Sequence, residues 1–334
     1  MRNRYTHEIL PPVEGYDLIG DVHGCAKTLE RLLEKLGYRK IRGIYEHPKR
    51  RVIFLGDILD RGPRIREAML IVHGMVQRGS AHMVLGNHEY NAITYFTKAL
   101  NLQSGEFEYL RPHTAANIRL IAETLEQYAH YPEEWKEILR WLRSVPLFME
   151  FGRPELANLF RVVHACWDHD VVAEHKAMFG DGRFDENFLH QSALNNTPES
   201  QATQLLTRGV AFPLPDGAKV VTHDGYVRHT FRTKFWAENA QTYGDLLFQP
   251  DPIPQEIASL PIAKHHRDSM VRYGLHEPPL FVGHYWLKGH PAPVTNNIAC
   301  LDYSAVKYGR LVAYRMDGEQ QLHPKKFVWE YVDP

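Results

Sequence analysis

Tyr16-Asp17-Leu18-Ile19-Gly20-Asp21-Val22-His23-Gly24 is the stretch on which the fold turns. Residues 16–20 form a short apolar run that reads as a buried strand, and the polar GDVHG sequence starts at its end. Leu29, Leu32, Leu33 and Leu36 then recur at i, i+3, i+4 and i+7, so residues 26–36 read as a helix with one apolar face. The same pattern returns twice. Residues 51–55 read as a strand before Gly56-Asp57-Ile58-Leu59-Asp60-Arg61-Gly62, with a helix over 66–77 turning Met69, Val72 and Val76 inward. Residues 82–85 read as a third strand before Gly86-Asn87-His88-Glu89. Strand, polar motif, helix is the reading of βαβ units that build a parallel or mixed sheet.

Outward from this core, residues 90–144 read as mainly helical. Ile118, Ile121 and Leu125 lie on one stripe and Trp135, Ile138, Leu139 and Leu142 on another, as in a cap beside the sheet. Strand patterns return at 147–151, 160–164, 219–222, 280–283, 298–301 and 310–315. Residues 168–275 are long, polar and rich in proline, and read as an insertion of loops and short helices lining the substrate side. The expected organisation is one domain over 1–334.

The charge balance excludes some functions. With 39 basic and 40 acidic residues among 334, no excess positive field exists to hold nucleic acid or an anionic membrane in bulk. A phosphorylated partner must be gripped locally. Cys25, Cys166 and Cys300 are far apart and suggest reduced thiols rather than a zinc cluster or disulfide framework. The N-terminal sequence has no apolar core of a signal peptide, and no run reaches the ~18 apolar residues of a membrane span, so a cytoplasmic location is expected.

Asp21 and His23 would project from one loop at a strand's carboxyl end, where ligand groups collect in open α/β sheets. A carboxylate and an imidazole suit a borderline divalent ion; the bland alternative is a polar turn with a capping Asp. Asp57 can bridge two ions, and Arg61 can clamp phosphate oxygens with its planar fork, whereas an Asp60–Arg61 surface pair is the alternative. Asn87 offers a neutral amide oxygen and His88 a proton donor. His164 and His284 each end an apolar run, and they supply the nitrogen donors that the carboxylates lack.

Taken together, GDVHG, GDILDRG and GNHE, followed by His164 and His284, resemble the calcineurin-like metallophosphoesterases, and within them the phosphoprotein phosphatase branch of bacterial type. That resemblance includes bacterial serine/threonine phosphatases and symmetrical diadenosine tetraphosphate hydrolases. Residues 139–163 and the ending GHYW with CLDYSAVKYGRLVAYR look most like the hydrolase layout. The chain lacks the Ser-Ala-Pro-Asn-Tyr segment of eukaryotic-type enzymes, and it carries Asp60 and Glu89 where the symmetrical hydrolases tend to differ.

The resemblance implies an α/β fold, a four-layer αββα sandwich of two mixed sheets flanked by helices. It implies Asp21, His23 and Asp57 for one metal, and Asp57, Asn87, His164 and His284 for a second, with manganese, iron or zinc as the ions. His88 would be the general acid, oriented by Asp60, and Arg61 the phosphate clamp. The expected reaction is hydrolysis of a phosphate monoester, on a phosphoprotein or a small molecule, by direct attack of metal-bound hydroxide. Asp60 is expected to fix the His88 tautomer and to raise its pKa. Symmetrical diadenosine tetraphosphate hydrolysis is the alternative, and a catalytically silent metal-bound scaffold a third reading. Residues 228–236, RHTFRTKFW, after Asp224 and Gly225, could add Arg228 or Arg232 as a further clamp with Trp236 as a platform, or could be an exposed hairpin with a basic face.

Overall fold

The computed structural model describes residues 13–100, 105–152, 158–217, 219–221, 227–248 and 253–332. The strands Gly15–Ile19, Arg50–Phe54 and Ala81–Met83 lie side by side and parallel, with Ile19 opposite Phe54 and Phe54 opposite Met83. Their carboxyl ends are therefore level, and the three motifs leave the sheet at one edge. Arg310–Met316 joins antiparallel to Gly15–Ile19 and pairs in turn with Phe327–Tyr331, so the sheet is mixed.

A second mixed sheet runs in the order Ile298–Cys300, Leu280–Val282, Phe160–Val163, Phe148–Phe151, parallel except for its last pair. The two-residue alternation of strands shows how the sheets meet. Leu18 and Ile53 of the first sheet, with Val84 just past its third strand, share one buried cluster with Phe160, Val162, Phe281 and Ala299 of the second. The intervening residues Ile19, Val52, Phe54, Val163, Leu280 and Val282 face the other way, into a cluster containing the helix residues Leu29, Leu32, Met69, Val72 and Leu142. The result is the expected sandwich of two mixed sheets, face to face, with helices on the outer sides.

The first helix, Ala26–Lys35, buries Leu29, Leu32 and Leu33 as its spacing predicts. Ile65–Arg78 buries Met69 and Val72, and Gly79 closes it in the left-handed region at φ +79°, where glycine carries no Cβ penalty. The third strand is shorter than expected, because Val84 and Leu85, though buried, continue as loop. Residues 90–144 are mainly but not purely helical: between Asn87–Phe96 and Ala115–Tyr128 the strands Lys98–Leu100 and Phe107–Tyr109 pair antiparallel, and Pro132–Leu142 follows. Ile118 is exposed, since the buried stripe of its helix is Ile121, Thr124 and Tyr128.

The 168–275 region is more ordered than its composition suggests. It contains the helices His169–Phe179, Glu186–Ser192 and Pro198–Arg208, then a three-stranded sheet of Ala211–Pro213, Thr230–Thr233 and Leu247–Phe248. Phe212, Phe231, Tyr243 and Leu246 give it a core of its own. The exposed-hairpin reading of RHTFRTKFW is thereby overturned, because Thr230–Thr233 is the middle strand and Phe231 and Thr233 are buried. Asp224 and Gly225, like Thr222, fall outside the described residues. Among the described residues no helix is long and apolar enough to cross a membrane.

Candidate metal and phosphate site

Asp57 sits at the meeting point of the sheets, buried, at φ +52°. The neighbouring Glu89 builds its loop: that carboxylate accepts the backbone N–H groups of Asp57 at 2.8 Å, Ile58 at 2.8 Å, Leu59 at 3.1 Å and Gly86 at 3.1 Å. The second and third motifs are thus tied together by one side chain. Gly86 has to be glycine, because a Cβ there would strike Asp57. Asp57 Oδ1 accepts the His88 N–H at 3.0 Å, which leaves Oδ2 facing His164 Nε2 at 3.3 Å, His23 Nε2 at 3.7 Å and His88 Nε2 at 3.9 Å.

The imidazoles are held in place by backbone carbonyls. His23 Nδ1 bonds Leu59 O at 2.7 Å and His164 Nδ1 bonds Leu55 O at 2.6 Å. Each bond assigns the proton to Nδ1 and leaves Nε2 on the side of the Asp57 carboxylate, the orientation of ligating histidines. His284 follows the strand Leu280–Val282, and its backbone N–H lies 3.2 Å from both oxygens of Asp21. The Asn87 amide lies 2.8 Å from His284 Nδ1. His23, Asp57, Asp60, Arg61 and His284 all have φ between +41° and +68°, a strain of about 1–3 kcal/mol each that concentrates at this one place.

Two donor groups converge: His23, Asp57 and His88, and Asp57, His164 and His284. Asp57 belongs to both. Asp21 lies between Asp57, the His284 N–H and a buried carboxylate that the sequence reading missed, Asp302. Burial, then Asp302 and Asp57, push the Asp21 carboxyl well above its usual range. Burial also opposes ionisation of Asp57, yet His164 and His88 hold it well below that range. Crowded buried carboxylates, with His284 Nε2 buried and without a hydrogen-bond partner among the described residues, are the chemistry of a cation site, where oxygen and nitrogen donors accumulate around one point. The residues present therefore fit divalent ions.

His88 Nδ1 meets Asp60 Oδ2 at 2.6 Å, so the expected orienting contact exists. Its electrostatic consequence differs from expectation. Burial outweighs the carboxylates and lowers His88 to about 3, while it raises Asp60 to about 7. Thr124, on the buried stripe of its helix, donates to Asp60 Oδ1 and accepts the Asp60 N–H at 3.2 Å. Only its polarity within an apolar stripe marked it in the sequence.

Arg61 stands exposed at the rim, its Nη1 3.2 Å from His23 Nε2 and its guanidinium 5.5 Å from the Trp286 ring. Arg232 reaches the site, donating to His284 O at 3.3 Å. The Arg228 side chain lies outside the described residues. Trp236 is half-buried against Tyr285 and Phe235 and is part of the core, not a free platform. A guanidinium not foreseen is Arg208, the last residue of Pro198–Arg208, whose Nη2 donates to Asn91 Oδ1 at 2.5 Å. Burial and then Arg111 lower it to about 10, and Asp57 acts on it electrostatically. Its only sequence signal was an Arg-Gly at the end of a helical pattern.

A site of converging His, Asp and Asn side chains at the strand ends of a double-sheet sandwich defines a metal-dependent phosphoesterase. Residues 17–199, more than half of the chain, match the family model described as Calcineurin-like phosphoesterase, and the chain belongs to that family of hydrolytic enzymes, which use divalent metals. The chain is 49% identical over 162 residues to the "Bis(5'-nucleosyl)-tetraphosphatase PrpE [asymmetrical]" of Halalkalibacterium halodurans, a match covering 48% of this chain and 60% of that protein. The chain thus spans less than two thirds of the length of the curated relatives it matches. Among solved structures it is similar to a putative diadenosine tetraphosphatase, with a TM-score of 0.41 and 14% identity over 97% of this chain and 95% of the other. A protein serine/threonine phosphatase from Saccharomyces cerevisiae gives a TM-score of 0.48 and 14% identity over 98% and 82%.

Proposed function

We propose that this chain hydrolyses a phosphate monoester at a pair of divalent cations, manganese, iron or zinc. The observation that carries the reading is that Asp57 belongs to two donor groups at once. Asp21, His23 and Asp57 would hold one cation, and Asp57, Asn87, His164 and His284 the other. When bound, such ions supply Lewis acidity toward phosphoryl oxygens and bring the pKa of water toward neutrality.

The chain's own groups do the rest. Arg61 binds phosphoryl oxygens from the exposed rim and Arg208 from a more buried position, since guanidinium forks match phosphate geometry. Asp60, steadied by Thr124, fixes the His88 ring through Nδ1. Nε2 is then the atom from which a proton passes to the leaving oxygen, while Asp60, which burial raises to about 7, delivers one to Nδ1 so that the ring stays neutral. The buried, unpaired thiols Cys25, Cys166 and Cys300 suit a reducing compartment such as the cytoplasm.

A second reading, hydrolysis of a dinucleoside polyphosphate, is favoured by the 49% identical relative with that printed activity, although that relative is asymmetrical in its cleavage. One experiment separates the two: incubation with manganese, iron or zinc and either p-nitrophenyl phosphate, phosphopeptides or diadenosine tetraphosphate. Free phosphate from the monoesters is expected. Nucleotide products with no monoester turnover would replace the first reading by the second, and turnover of nothing would overturn both.

A further inference from the structure

A cavity of about 320 Å³ lies between two segments of the 168–275 region, residues 235–241 and 267–274. Phe235, Trp236, Ala240 and Met270 give it an apolar lining, of which Phe235 and Ala240 are buried. The first segment is held in shape by its own backbone: the Ala237 N–H donates to Lys234 O at 2.9 Å, Asn239 turns the chain at φ +53°, and Gln241 O accepts the Ile262 N–H at 3.1 Å. Along 269–272 alternate residues face opposite ways, Ser269 and Val271 into a cavity beside Arg208, Met270 and Arg272 into this one. Trp236 packs against Tyr285 at 4.8 Å, and Tyr285 against His284 at 5.6 Å, so two rings stand between this cavity and the donor groups. It is a second site, not an arm of the first.

The charges on its walls stand apart. Glu238 belongs to one segment and Arg267 and Arg272 to the other, and among the described residues none of the three has a hydrogen-bond or ion-pair partner for its side chain. Opposite charges thus share one cavity without meeting. The cavity beside the strand Phe148–Phe151 is different, because there Lys176 pairs with Glu150 and Arg183 with Asp181 at 2.5 Å, and its charges are already satisfied. We propose that the cavity between 235–241 and 267–274 binds a free α-amino acid with an apolar side chain, its carboxylate on Arg267 and Arg272, its ammonium on Glu238 and its side chain against the Trp236 indole. A zwitterion supplies both missing counter-charges at once, which neither a simple anion nor a neutral sugar does. Guanidinium forks match a carboxylate, and the carboxamides of Asn239 and Gln241 offer oxygens to the ammonium's remaining donors. An apolar lining beside these groups selects an apolar side chain, since a further charge there would be desolvated without a partner. The volume lies at the lower end of the range for small-molecule sites, as a ligand of this size requires. This binding is independent of whether the neighbouring site hydrolyses a phosphate ester.

Calorimetric titration of the full chain with L-leucine and with L-phenylalanine tests it. At least one should bind with a dissociation constant below about 1 mM. The N-acetyl form of that amino acid lacks the ammonium and its amide lacks the carboxylate, so each should bind at least about tenfold more weakly. Glu238→Gln should weaken binding of the free amino acid about tenfold and leave the N-acetyl form unaffected, which has no ammonium to place. Arg272→Gln should weaken the free amino acid more than the amide. Glu238 and Arg272 are both exposed, so neither substitution disturbs the core, and the two derivatives probe the wild type without any substitution. Absence of heat with both amino acids up to about 10 mM overturns the proposal. So does equal affinity for the free amino acid and its derivatives, or a Glu238→Gln protein that still prefers the free amino acid to its N-acetyl form as strongly as the wild type does.

Discussion

His88 Nδ1 lies 2.6 Å from Asp60 Oδ2, and the other oxygen of that carboxylate accepts from Thr124 Oγ1 on a separate helix. The imidazole is thus oriented from behind by Asp60 and Thr124, neither of which belongs to the two donor groups. Asp60→Asn should slow p-nitrophenyl phosphate turnover by roughly 10- to 100-fold while leaving bound metal unchanged by elemental analysis. Loss of metal together with activity would show that Asp60 supports the cation site instead.

His88→Asn removes the proposed proton donor, and turnover should fall by about 100-fold or more. The fall should shrink for substrates with very good leaving groups, which need no proton. A uniform loss across leaving groups would take His88 out of that role.

Asp57→Asn weakens both donor groups at once, so metal-dependent turnover should be abolished and metal content reduced. Chelation of the wild type should lower its thermal midpoint, since an ion at 100 times its dissociation constant stabilises a fold by about 2.7 kcal/mol. Equal melting curves with and without chelator would contradict a resident cation.

Glu89 satisfies four backbone N–H groups from two loops. Glu89→Ala leaves buried donors unpaired, at about 1–3 kcal/mol for such a group, and urea unfolding should register at least that loss. A variant as stable as the wild type would mean that the loops find other acceptors.

Glu150 bonds Lys176 and, at 3.2 Å, Arg161. Burial opposes its ionisation, but these cations outweigh burial and hold its carboxyl below the usual value. A depressed folded pKa stabilises the protein above the unfolded value near 4.5, and that stability disappears as pH falls through the lower folded value. Glu150→Gln should therefore cost about 1 kcal/mol in urea unfolding at pH 7 and progressively less below pH ~4.5. A pH-independent difference would assign the effect to packing.

The first sheet and its three motifs were legible because each is local: an apolar run, a polar loop and an apolar helical stripe lie within some thirty residues. His164 and His284 were legible for the same reason, each ending its strand. Thr124, Asp302 and Arg208 were not. Each comes from a different element and acquires its place only through tertiary packing, which leaves no periodic trace. Composition misled in the 168–275 region, where polar residues cover helices and a small core built on Phe212, Phe231 and Tyr243. Thr230–Thr233 could not be told from an edge hairpin, because its neighbours in the sheet lie far along the chain.

The bond from His164 Nδ1 to Leu55 O joins the second sheet to the first across the sandwich. The second donor group, Asp57, His164 and His284, draws on both halves, so capture of the proposed cations by a refolding chain would mark the moment at which the halves have docked in register. A metal-sensitive dye followed during refolding would time that event directly.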